Sequence, residues 1–108
     1  DGLSIRVPVL DVSLVDLAVR TEVVPSADEV RELFIDLASR RSFNGALAVC
    51  ADDRVSSDFL GHPASSVVDL PLIATASDGM LRVVSWYDNE WGFSNRVVDI
   101  ALHLKATE

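Results

Sequence analysis

A chain of 108 residues is long enough for one domain with a core, in which about 60–70% of the surface exposed by the unfolded chain is buried. A net charge of −8 leaves no basic footprint, so nucleic acid and anionic membrane surfaces are poor partners, and no apolar run approaches the ~20 residues of a membrane span. With 49% hydrophobic residues, 24% charged residues and a mean hydropathy of +0.28, the composition points to surface meant for a partner or a neighbouring domain.

One cysteine excludes an internal disulfide and fits a reducing cytoplasm, and no N-terminal stretch reads as a signal peptide. In chain order, Leu3–Val9 is a short apolar run closed at Pro8, read as a strand. Val12–Val23 alternates, with Val15, Leu17, Val19, Thr21 and Val23 on one side and Asp16, Ala18, Arg20 and Glu22 on the other. That period of two predicts a long half-buried strand, ended by Pro25. Ser26-Ala27-Asp28-Glu29 is a capping box. Behind it Val30, Leu33, Phe34, Leu37 and Ala38 form one apolar stripe, Asp36 and Arg40 make an i,i+4 pair, and Asn44-Gly45 is the predicted stop.

Ala46–Ala51 reads as a short strand, and Ser56–Ser66, with Gly61 and Pro63, as a loop that touches something. Ser66–Ala76 and Met80–Trp86 are apolar runs joined around Asp78-Gly79, a hairpin signal, with Pro71 suited to an edge or a bulge. From Trp91 to Lys105, Val97, Ile100, Ala101 and Leu104 recur at helical spacing. The order β-β-α-β-β-β-α predicts an α+β fold: a mostly antiparallel or mixed sheet with helices packed on one face.

Little of this looks like a self-contained catalytic apparatus. Cys50 lies inside the apolar run Ala48–Ala51, where a cysteine behaves as a small hydrophobe. Its possible imidazole partners are His62, in a Gly-His-Pro loop, and His103, which reads as a helix-surface residue. Asp52, Asp53 and Asp58 could gather near His62, but no zinc or calcium spacing is present, so no metal is expected. No G-x-G-x-x-G cradle occurs. Arg6, between Ile5 and Val7, either points to solvent by strand alternation or reaches an anion with its planar fork.

The stretch Trp86-Tyr-Asp-Asn-Glu-Trp-Gly-Phe-Ser-Asn-Arg96 concentrates aromatic and polar groups between a strand and a helix. Asp88 or Asn89 stands where an N-cap sits. A side-chain amide walled by rings could fix a planar polar ligand; alternatively Trp86 and Trp91 fill the corner between sheet and helix.

This stretch, extended through Val97-Val98-Asp99, resembles the C-terminal part of phosphorylating glyceraldehyde-3-phosphate dehydrogenases. Ile5–Arg20, Val55–Phe59 and Ser65–Asp69 support the resemblance in the family's order, and it covers residues 1–108. It implies a partial catalytic domain, with the NAD-binding Rossmann domain and the nucleophile-bearing segment outside these residues. It implies that Asn89 holds the nicotinamide carboxamide of NAD or NADP, that Phe93, where many members have tyrosine, lies beside the nicotinamide, and that Tyr87 lines the pocket. Arg6 matches the arginine that binds substrate phosphate and inorganic phosphate. Val9, Leu10 and Asp11 depart from the commoner Thr-Pro-Asn, and Cys50 does not match the nucleophile, so no catalytic residue is assigned. The implied partners are the rest of a dehydrogenase chain and further copies in a homotetramer, in the cytoplasm, with no nucleic acid and no membrane. The alternative is a stand-alone, non-enzymatic half-domain that binds or assembles. Polar replacements on the face normally covered by the missing part would favour it, yet Val15, Leu17, Val19, Val67, Val68, Leu70, Leu72 and Ile73 are apolar.

Overall fold

The computed structural model describes residues 1–43 and 45–107. Its strands are β1 (Ser13–Arg20), β2 (Leu47–Cys50), β3 (Ser66–Asp69), β4 (Ala74–Thr75) and β5 (Met80–Tyr87); its helices are α1 (Ala27–Ser39) and α2 (Asn89–Ala106). The strands form one mixed sheet in the order β1-β5-β3-β2, with β4 also on β5. β1, β3 and β4 run antiparallel to β5, whereas β2 and β3 are parallel, which requires the long crossover through residues 51–65. A short 3-10 turn, Ser56–Phe59, lies in that crossover. The α+β architecture is thus the one the pattern predicts.

Local chemistry sets several boundaries. The Ser26 hydroxyl accepts the Glu29 N–H at 3.2 Å, and the Glu29 carboxylate accepts the Ser26 N–H at 2.8 Å, completing the capping box. Asp36 and Arg40 pair as expected. The helix ends at Ser39, before the predicted stop: Ser39 Oγ donates to the Asp36 carbonyl and Arg40 turns extended, so the chain can return to lay β2 beside β3. Of the predicted stop, Asn44 lies outside the described residues; Gly45 sits at φ +80°, in the turn that follows. Asp78-Gly79 turns β4 into β5, with Gly79 at φ +85° and the Ala76 N–H donating to Met80 O at 2.8 Å. Pro71 falls in a 3-10 turn, Leu70–Leu72, that separates β3 from β4 along one side of β5.

Two apolar clusters lie on opposite faces of the sheet, because successive strand residues point opposite ways. Val68 and Val83 pack with Val30, Leu70 and Ile73 under α1. Val67 packs with Val12, Cys50, Phe59 and Ala64 on the other face. Arg31 fastens α1 down, its guanidinium donating to the Leu70 and Ile73 carbonyls, both at 3.0 Å.

Three expectations change. Leu3–Val9 is not a strand: residues 1–12 have no regular structure, because their backbone groups find no strand to pair with. Val12, at φ +71° and buried, turns this segment into β1, a strained conformation for a β-branched residue. The β1 strand alternates as expected but is not half-buried; Val15 and Leu17 remain 46% and 48% exposed, because α1 covers the β2–β3 side and β1 is the sheet's edge. Conversely Val67, Val68, Leu70 and Ile73 are buried within this chain, so they are not part of an open face. Each helix has one buried residue, Val30 in α1 and Gly92 in α2, so α2 sends no large side chain into the core. Trp91, Phe93, Val97, Val98, Ile100, Leu102 and Leu104 are exposed, on the side of α2 away from Gly92.

Candidate functional site

The β5–α2 junction brings together three of the four residues the resemblance singles out. Tyr87 is the last residue of β5, Asn89 the first of α2, and Phe93 follows Asn89 one turn later on the same side of the helix. Asn89 and Phe93 are exposed, Phe93 to 69%, and Tyr87 is half-buried. Asp88 between them resolves the capping alternative. Its carboxylate accepts the Trp91 N–H at 3.0 Å as the N-cap, and the Gly61 N–H at 2.8 Å from the crossover.

Of the two tryptophans offered as corner-fillers, one takes that role. Trp86 fills the corner: its ring stacks on Phe59 with centroids 5.3 Å apart, and its Nε1–H donates to the buried Asp69 carboxylate at 2.9 Å. Trp91 is 52% exposed and, two positions from both Asn89 and Phe93, points to a different side of α2.

Arg6 lies in the irregular segment, exposed, with no hydrogen bond or ion pair among the described residues. The same segment is brought to α2 five residues later. Ser13 pairs with Tyr87, and carboxylate oxygens of Asp11, Asp88 and Glu90 lie within 4.8 Å of one another. Asp88 already receives two backbone N–H groups, and this trio carries no metal argument. Asp52, Asp53 and Asp58 do not form a group of metal-ligating atoms with His62 among the described residues. Cys50 is buried, and its thiol donates to the Asp52 carbonyl at 3.0 Å. It shares a cleft of about 250 Å³ with His62, whose Nδ1 accepts the Ala64 N–H at 3.2 Å. His103 is exposed in the last turn of α2.

Electrostatics at the junction follow from these bonds. The Trp91 N–H, and then the Gly61 N–H, hold the Asp88 carboxyl below its ordinary range, outweighing the opposing effect of burial, with Asp11 acting in the same direction. A carboxyl whose folded-state pKa is depressed stabilises the fold above its unfolded value, about 4, and loses that contribution as pH falls through the folded value. Asp88→Asn is therefore expected to lower stability at neutral pH and to flatten the loss of stability below pH ~4. Denaturant titrations across that range check it; an unchanged pH profile would remove Asp88 from the account.

Two structural partners were not visible in the pattern. The Gly61 amide has no side chain to announce it, and Asp69 closes an apolar run where an acidic residue reads as a strand end. Gly92 is the one signal available beforehand, because a glycine inside a helix often marks a close approach, here to Ala64.

Comparison with known proteins bears on the same residues. The profile of the glyceraldehyde 3-phosphate dehydrogenase C-terminal domain matches residues 1–89, from the irregular segment through Asn89. The chain is 46% identical over 103 residues to a cytosolic glyceraldehyde-3-phosphate dehydrogenase of Sinapis alba, covering 95% of this chain and 30% of that protein. It is 44% identical over 106 residues to the cytosolic enzyme of Ginkgo biloba, covering 98% and 31%. With a glyceraldehyde-3-phosphate dehydrogenase of Colletotrichum lindemuthianum the identity is 43% over 103 residues, covering 95% and 30%. The chain thus spans about 30% of the length of these relatives. Matching from the Arg6 segment to the start of α2, the chain belongs to the glyceraldehyde 3-phosphate dehydrogenase C-terminal domain family.

Proposed function

We propose that this chain works as the C-terminal part of a phosphorylating glyceraldehyde-3-phosphate dehydrogenase, oxidising glyceraldehyde 3-phosphate with NAD or NADP and phosphate, in the cytoplasm. The observation that carries the reading is the pairing of Asn89 and Phe93 on one exposed side of α2, beside Tyr87, within a chain of this family. Asn89 offers a primary amide, two donors and an acceptor, which matches the carboxamide of nicotinamide. Phe93 supplies apolar contact beside it without the hydroxyl that a tyrosine would add. These residues fit the cofactor, which when bound supplies the hydride acceptor. Tyr87 lines the pocket. Arg6 binds the phosphate of the substrate and inorganic phosphate, since its guanidinium is solvated and uncommitted among the described residues.

The nucleophile comes from outside these 108 residues. Covalent aldehyde oxidation needs an activated thiolate, and Cys50 is buried with its thiol donating to a carbonyl. The exposed apolar surface supports the same reading. No helix among the described residues is long and apolar enough to cross a membrane, yet α2 exposes seven large apolar side chains, from Trp91 to Leu104, on the side turned away from Gly92, apolar surface of the kind that marks a protein contact. The remainder of a dehydrogenase chain encloses α2, and further copies of the subunit cover the β1 side of the sheet.

The isolated chain is expected to yield no NADH from glyceraldehyde 3-phosphate, phosphate and NAD. Mixed with a separately expressed N-terminal portion of a family member, it is expected to yield NADH, equally so with Cys50→Ser. Turnover by the pure chain that disappears with Cys50→Ser would overturn the assignment. A folded chain that yields nothing on mixing would move the weight to a stand-alone half-domain that binds or assembles.

A further inference from the structure

α2 meets the rest of the chain along one stripe. Asp88, Gly92 and Arg96 follow at i, i+4 and i+8, one above another. Asp88 accepts the Gly61 N–H at 2.8 Å. One turn on, a Cβ added to Gly92 would stand 3.1 Å from the Ala64 carbonyl oxygen, so the backbones approach closely there and a side chain would require a shift of a few tenths of an ångström. A turn later, Arg96 Nη1 donates to the Gly45 carbonyl at 3.3 Å and to the Ser65 hydroxyl at 3.4 Å. Asn89 and Phe93 each follow one position after a member of this stripe, so they share the neighbouring side of the helix. Both are exposed, and neither side chain makes a hydrogen bond among the described residues. Their direction is therefore set by how α2 is seated on the 61–65 turn and not by contacts of their own.

We propose that the Asp88–Gly92–Arg96 stripe is a positioning device for cofactor recognition, fixing the rotation and height of α2 so that Asn89 and Phe93 meet the nicotinamide ring together. The inference rests on the assignment of Asn89 and Phe93 given above. Asp88 is the positioning residue, because one carboxylate both starts the helix and ties it to a segment distant in sequence. Gly92 is the spacer: a Cβ there requires α2 or the Ala64 carbonyl to shift by a few tenths of an ångström.

Two variants separate positioning from simple stability. Gly92→Ala places a better helix former in α2, and Asp88→Ser keeps an N-cap for Trp91 while its shorter side chain gives up Gly61. Circular dichroism checks that both retain their helices. In the full chain mixed with the N-terminal portion, each is expected to raise the KM for NAD about tenfold and leave the KM for glyceraldehyde 3-phosphate within about twofold. In the chain alone, Asp88→Ser is expected to speed amide exchange at Gly61. A purely structural role would lower the melting temperature and the active fraction while leaving both KM values in place, and that result would overturn the inference. If the wild-type mixture makes no NADH, the assignment of Asn89 and Phe93 falls and this inference falls with it. If the wild type is active and both variants keep its KM for NAD, the inference alone fails.

Discussion

Trp86→Ala is expected to leave most of the chain unfolded at room temperature. Trp86 lies where β5 crosses the second apolar cluster, stacked on Phe59 at 5.3 Å and bonded to Asp69 at 2.9 Å. Removing a packed indole costs about 3–5 kcal/mol. It also strips the donor from Asp69, which is only 3% exposed, and an orphaned buried acceptor adds about 1–3 kcal/mol. Against the ~5–15 kcal/mol typical of a whole domain, that loss is decisive. It is most so here, where β1 and α2 leave much of their apolar surface in water. Trp86→Phe separates the two contributions. It keeps a ring on Phe59, loses the N–H, and should cost only the smaller amount. Denaturant melts of both variants test this; a Trp86→Ala midpoint close to wild type would mean that the corner is held by something else.

Arg6→Gln carries the largest expected effect on activity. Arg6 is exposed and free of competing carboxylates among the described residues, so its fork can meet a phosphate without breaking an existing ion pair. A charge-assisted hydrogen bond to phosphate contributes roughly 1.5–3 kcal/mol, which corresponds to about a 10- to 100-fold rise in KM for glyceraldehyde 3-phosphate and for phosphate. The KM for NAD should not move. Arg6→Lys should restore part of the loss, since a point charge lacks the bidentate geometry. Steady-state kinetics of the mixed enzyme decide the matter. Unchanged dependence on phosphate in Arg6→Gln would remove Arg6 from the site.

Local chemistry was legible in the sequence because the groups involved are neighbours along the chain. Ser26 and Glu29 cap α1 through bonds three residues apart, and Gly79 turns a hairpin whose two strands it directly joins. Asp88 was recognisable as a possible N-cap for the same reason, and the Trp86–Asp99 stretch was enough to indicate the family. Tertiary structure decided what depends on partners distant in sequence. Leu3–Val9 has the residues of a strand but no strand to bond with, so it stays irregular. The alternation along β1 identifies its two faces, while its place at the sheet's edge, away from α1, leaves both in water. Period alone could not show that β2 lies parallel to β3, because that pairing depends on where a long crossover returns. Nor could it show that the Asp88 carboxylate reaches the Gly61 amide, a backbone donor identical in kind at every non-proline position and singled out only when the fold brings it within 2.8 Å.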